Sequence, residues 1–83
     1  MVYVDNARIP FRRMVMSHMI ADTPDELHAM AASIGLWRRW FQDTRHPHYV
    51  VSLSRRQEAI KRGAVPLAYR DFGRKLREVR TNA

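Results

Sequence analysis

Apolar and polar positions follow two different rhythms along this chain, and the change between them is sharpest from residue 14 to residue 35. Met14 to Ala21 is almost continuously apolar, interrupted by Ser17 and His18, which is the pattern of a central strand covered on both sides. Alternate residues share a face. Met14, Met16, His18 and Ile20 therefore fall on one side, and Val15, Ser17, Met19 and Ala21 on the other. After Asp22 the period becomes helical, with Leu27, Met30, Ala31 and Ile34 recurring at i, i+3, i+4 and i+7. Thr23 stands at the N-cap with Glu26 three residues later, a capping box, and Pro24 occupies the first helical position. Gly35 follows the last periodic residue, where a left-handed residue ends a helix.

The flanking stretches are shorter. Val2 to Asp5 has the β-branched and aromatic content of a strand. Asn6 to Arg13 contains Pro10 with Arg8, Arg12 and Arg13, and predicts a connecting loop. Leu36 to His48 has no clean period and carries Pro47 near its end, so a short turn and an ordered loop are expected. His48 to Leu53 is a third strand. Ser54 is the predicted cap of a second, basic helix over 55–62, with Gln57 at the capping-box position, Ala59 and Ile60 as apolar contacts and Gly63 beyond its end. Residues 64–69 predict a fourth strand, and Pro66 requires either an edge position or a strand that begins after it. Residues 70–80 form a last helix with Phe72, Leu76 and Val79 on one stripe; Gly73 weakens it, and 80–83 are expected to fray.

The order β-β-α-β-α-β-α predicts one domain over residues 1–83, of α/β class bordering on α+β. Its mixed sheet should have about four strands, packed by two to three helices. A chain of 83 residues buries a small core, so association with a second copy is a natural supplement, and no cysteine supplies a disulfide or thiolate ligand. The longest apolar run is far too short to span a bilayer, and the first residues lack the pattern of a signal peptide. Together these predict a soluble cytoplasmic protein with no membrane partner.

Charge narrows the partners. Fifteen basic residues against eight acidic give a formal net charge of +7, and all the basic residues except Lys61 and Lys75 are arginines. Arginine forks onto phosphate and stacks on bases, so the excess points to a nucleotide or nucleic acid. A GC-rich genome imposes the same bias without any ligand.

The ordered residues Val2-Tyr3-Val4-Asp5, His18-Met19-Ile20-Ala21-Asp22, Glu26-Leu27-His28, Ile34-Gly35, His48-Tyr49, Arg56 and Gly63-Ala64 resemble the bacterial and phage family catalogued as domain of unknown function 4031. The resemblance covers residues 2–69; the basic helix and tail at 70–83 lie outside it. It implies a small standalone protein, often encoded by a phage or prophage and so placed in the host cytoplasm. It brings no catalytic or ligand residues with it.

Several residues carry candidate chemistry. His48, Tyr49, Arg55 and Arg56 beside a helix start form the best phosphate-site candidate, since free backbone N–H groups there attract anions. Trp37, Trp40 and Phe41 alternate with Arg38, Arg39 and Arg45 in the manner of a base-stacking surface. The competing reading has the two tryptophans plug the bottom of a small core; at least one is expected there, with Arg38 and Arg39 exposed. Asp5, His18, His28 and His48 are weak acid–base candidates, which converge only if the first three strands are neighbours. His46-Pro47-His48, taken with His18 and His28, matches no zinc spacing, and His18 on an apolar strand face reads as a hydrogen-bonded core residue and not a ligand, so no metal and no cofactor are expected.

Four functions stay open. The leading one is a non-enzymatic binder of an anionic nucleotide-type ligand, sequestering a nucleotide signal or blocking a host defence complex. The others are a nucleic-acid-binding module, a protein–protein inhibitor or assembly factor acting on a host complex, and a nucleotide-processing enzyme using His18 and His48.

Overall fold

Met14–Ala21 is the strand on which the sheet registers. In the computed structural model, which describes the backbone of residues 1–82 and the side chains of residues 1–79, strands β1 (Val2–Val4), β2 (Ile9–Phe11) and β3 (Met14–Ala21) precede helix α1 (Pro24–Ser33). A 3₁₀ turn at Arg38–Trp40, β4 (Tyr49–Ser52), α2 (Leu53–Lys61), β5 (Val65–Pro66) and α3 (Tyr69–Asn82) follow. Met16 pairs with both Ile9 and Ser52, and Met19 with both Val4 and Tyr49. A strand residue has only two edges, so β4 occupies one edge of β3 while β1 and β2 lie end to end along the other. β5 extends the sheet beyond β1 in the parallel sense, and the other pairings are antiparallel. The sheet is therefore mixed, as the element order predicted, with five strands.

Its two faces build two layers. Val2, Val4, Met19, Ala21, Tyr49 and Val51 pack against Leu27, Ala31 and Ile34 of α1, and Ala59 of α2 joins them. On the opposite face Tyr3 and Ile20 meet Phe72 of α3, with Leu76 and Val79 packed alongside. The helical stripes read from the sequence are the ones buried. Thr23 Oγ1 accepts the Glu26 N–H at 3.2 Å, as the capping box requires.

Four boundaries differ from expectation. The supposed loop at 6–13 contains β2, which forms a hairpin with β3 closed by Arg12 and Arg13. Arg12 has φ 50°, the left-handed conformation that two-residue hairpin turns demand, although neither turn residue is the usual Asn or Gly. Pro10 stands opposite Val15, one pair beyond Phe11 and Met14 at the turn. Ladder bonds alternate, so a proline there loses only an N–H that would face the free edge. The second helix is capped by Ser52, whose hydroxyl accepts the Arg55 N–H; Ser54 lies inside the helix, because β4 ends earlier than its apolar run suggested. The predicted fourth strand shrinks to Val65–Pro66, and Tyr69 already begins α3. Gly73 does not interrupt that helix. Of the tail expected to fray, Ala83 and the side chains of residues 80–82 lie outside the described residues. Among the described residues, no helix is long and apolar enough to cross a membrane.

Both α1 and α2 end in the same device. Gly35 N–H donates to Ala32 O and Leu36 N–H to Ala31 O; Gly63 N–H donates to Ile60 O and Ala64 N–H to Ala59 O. These are Schellman motifs with a left-handed glycine. Gly35 has a second duty. The Arg55 guanidinium donates to Ile34 O beside it, and a Cβ on residue 35 would stand 2.7 Å from Arg55 Nη1. Gly35→Ala should therefore cost about 1–2 kcal/mol from the left-handed backbone alone, plus the displaced arginine. In chemical denaturation, the double variant Gly35→Ala/Arg55→Ala should lose less stability than the two single variants together.

Candidate functional site

The interrupted edge of β3 is where polar chemistry collects. Five residue steps from Val4 to Ile9 face only three from Met19 to Met16, so residues 5–8 bulge out between β1 and β2. Asp5 N–H still donates to His18 O at 3.1 Å, but the reciprocal ladder bond is missing. The Asp5 side chain replaces it: Oδ1 accepts the His18 N–H at 2.8 Å and the Ala7 N–H at 3.3 Å. The main-chain oxygen of Asp5, freed by this exchange, accepts from Arg56 Nε at 2.7 Å. Ser17, fully buried, donates its hydroxyl to Ala7 O at 2.8 Å and closes the bulge.

The remaining carboxylate oxygen fixes an imidazole. Asp5 Oδ2 lies 2.7 Å from His18 Nδ1; the aspartate is 3% exposed, while the histidine side chain remains about one third accessible, 33%. Burial works against the Asp5 charge, yet the hydrogen bonds and charge of His18, with the Ala7 N–H, outweigh it and hold the carboxyl below its usual range. The hydrogen bond to Asp5 raises the His18 pKa against the opposing effect of burial. His48 projects from the residue before β4 onto the same sheet face, and its ring meets that of His18 edge-on with centroids 5.5 Å apart. His48 Nδ1 is held 2.7 Å from the carbonyl of His46. Phe72 of α3 flanks His18 at 6.4 Å. Asp5, His18, His48 and Arg56 thus lie together at one break in the sheet, as neighbouring first strands would allow.

His28, Tyr49 and Arg55 lie away from this break. His28 sits across the sheet, with Nδ1 2.8 Å from the hydroxyl of Tyr49 and its ring edge-on to Phe41 at 4.6 Å. Burial, reinforced by Arg38, lowers the His28 pKa, and burial raises that of the Tyr49 hydroxyl, so both effects favour the uncharged pair. Tyr49 is a core residue, 1% exposed, and His28 satisfies its only polar atom. Arg55 reaches Ile34 O and Arg56 reaches Asp5 O, so both arginines at the start of α2 bind carbonyls. Among the described residues no group of three His, Cys, Asp or Glu is arranged to hold a metal ion.

The aromatic–basic stretch forms a separate surface. Neither tryptophan is in the core: Trp37 is 54% and Trp40 45% exposed, which corrects the expectation that at least one would be buried. Their rings stack nearly parallel, 8° apart in plane with centroids 5.5 Å apart, and the Arg39 guanidinium lies 4.0 Å over Trp37. Phe41 instead turns inward against the core, which is why the segment has no simple period. Arg38 and Arg45 are exposed, like the rest of this turn. Ala7, Ser17 and Ser52 carry no signal in the sequence: Ser17 donates its hydroxyl to the Ala7 carbonyl in the bulge, and the Ser52 hydroxyl accepts the Arg55 N–H at the helix start, roles that any small polar residue could fill.

The Asp5–His18 pair makes a signed pH prediction. A raised His18 pKa stabilises the fold fully below the unfolded-state value of 6.5 and loses that effect as pH rises through the folded value. A lowered Asp5 pKa acts above 3.8 and is lost as pH falls through the folded value. The difference in urea midpoint between the wild type and His18→Asn should therefore be largest below pH 6.5 and shrink as pH rises through the folded His18 value. Asp5→Ala, which strands two backbone N–H groups and an imidazole, should lower stability by on the order of 3 kcal/mol, with Asp5→Asn costing less, both read by the same titration.

No curated protein and no solved structure matches the chain. The family described as "Protein of unknown function (DUF4031)" matches residues 2–79, which takes in α3 as far as Val79 as well as the sheet. The match spans nearly the whole fold, including both the Asp5 bulge and the tryptophan turn, and the chain belongs to this family.

Proposed function

We propose that this protein binds nucleotide-type anions without converting them, stacking a base on the Trp37–Trp40 platform and meeting phosphate with Arg38, Arg39 and Arg45. The observation that carries the reading is the exposed parallel stack of the two indoles with a guanidinium over one of them. A small domain gains from burying such rings, and here both stay at the surface. Base–aromatic stacking contributes about 1–3 kcal/mol per base and tolerates any base. The turn from Trp37 to Gln42 contains no acidic residue to repel a phosphate. Binding of this kind sequesters a nucleotide, and a cytoplasmic setting, in a phage-infected host or otherwise, is where that ligand is found.

A single strand of nucleic acid is the second reading. The +7 net charge favours a polymer over a mononucleotide, because each neutralised phosphate releases counterions.

One optical experiment tests both. The chain has two tryptophans, and both are in the platform, so tryptophan fluorescence, excited selectively over that of the tyrosines, reports this surface and no other. Titration with mononucleotides and with short single-stranded oligonucleotides should quench it. Trp40→Leu should weaken binding by roughly 5- to 100-fold with the fold intact. Quenching by oligonucleotides alone, falling steeply with salt, selects the second reading. An unchanged spectrum with every nucleotide and oligonucleotide, or the same response to inorganic phosphate and heparin, overturns the proposal.

A further inference from the structure

We propose that His18 and His48 form a binding site for a divalent transition-metal ion, of the zinc, nickel or copper class, on the sheet face away from α1. Each ring has one nitrogen already committed. His18 Nδ1 is bound to Asp5 Oδ2 and His48 Nδ1 to the His46 carbonyl, both at 2.7 Å. Metal-ligating histidines have this support: a carboxylate or backbone carbonyl on one ring nitrogen sets the tautomer and leaves the other nitrogen as the donor. Here both rings have it, one by a carboxylate and one by a carbonyl. Among the described residues no hydrogen bond engages Nε2 of either histidine.

The spacing suits a shared ion. His18 pairs across the strands with Val50, so His48, two residues before Val50, is its diagonal neighbour on the same face. Two imidazoles bound to one ion at about 2.0–2.1 Å hold their ring centres roughly 5 Å apart, close to the 5.5 Å seen here. Asp5 supports His18 and is not itself a ligand. Since no third His, Cys, Asp or Glu completes a protein set among the described residues, water or an exogenous ligand fills the other positions. Such a site is open and exchangeable, unlike the closed four-ligand sites that stabilise folds. Imidazole donors suit zinc, nickel and copper and do not suit magnesium or calcium.

The test is titration of the full chain with nickel(II) and zinc(II) chlorides, read by calorimetry and by histidine NMR. One ion per chain should bind, and nickel should broaden the ring resonances of His18 and His48 before those of His28 and His46. His48→Ala, which removes one donor and leaves the Asp5 bulge untouched, should weaken binding at least about tenfold, the effect of losing one of two ligands. His18→Asn, checked for folding by circular dichroism, should do the same. Val50→His places a third imidazole on the same face, directly opposite His18 and next along the strand to His48, and should tighten binding by a similar factor. Equal affinity in the wild type and His48→Ala, broadening that begins at His28 or His46, or equal binding of magnesium would each overturn the proposal. None of these readouts involves the tryptophan platform, so their failure is distinct from failure of nucleotide binding.

Discussion

A single carboxylate replaces a missing rung of the sheet, and much of the molecule follows from that substitution. Where β1 gives way to the bulge, the His18 N–H loses the carbonyl that a regular antiparallel ladder would offer, and a buried unpaired N–H is expensive. Asp5 answers with its side chain. That exchange releases the Asp5 carbonyl, which Arg56 binds from α2, and it leaves one carboxylate oxygen to orient the His18 ring. The bulge thus ties the middle of the sheet to a helix and sets an imidazole in a fixed tautomer. The histidine's orientation is a consequence of how the edge is repaired.

Arginine does structural work that its abundance in the sequence had suggested was reserved for a ligand. Arg55 and Arg56 are adjacent in α2 yet reach in different directions, one to the C-terminal carbonyl of α1 and the other to the bulge. A guanidinium carries five donors in a fixed plane and is less tightly hydrated than an ammonium, so it can bind a backbone carbonyl at a half-buried junction where lysine would be drawn back to water. Part of the Arg excess is therefore internal bracing. The exposed arginines of the hairpin and of the tryptophan turn, Arg8, Arg12, Arg13, Arg38, Arg39 and Arg45, are not explained in this way. They are the ones available to the anionic ligand proposed above.

How much of this was legible depended on whether the cause was local. Thr23, Glu26 and Gly35 act on backbone groups within a turn of themselves, so the first helix and its ends could be read directly. The burial of Leu27, Ala31, Ile34, Phe72 and Ala59 followed from period alone. The hairpin was hidden because Pro10 and three arginines signal a loop, and only the register with β3 shows that the proline faces a free edge. The candidate residues divide in the same way. That Asp5, His18 and His48 are close was conditional on strand order, which no local pattern encodes. The bracing role of Arg55 and Arg56 depends on partners 21 and 51 residues away.

The two candidate surfaces differ in what prepares them. Around His18 and His48, preparation comes from the sheet: the donors are held by hydrogen bonds that exist for the integrity of the bulge and the 46–48 turn. Around Trp37 and Trp40, preparation comes from the rings themselves. Each indole shields one face of the other, and Arg39 covers part of Trp37, so the exposed apolar area is smaller than two separate rings would present. Stacking also restricts rotamers before any ligand arrives. Ordering a side chain on binding costs about 0.5–1.5 kcal/mol, and a ring already held avoids most of it. The tryptophans are thus poorly placed to stabilise the fold and well placed to receive a flat ligand. The His18–His48 pair lies on the opposite side of the sheet from the core that Phe41 joins, so substitutions at one surface should act independently of the other.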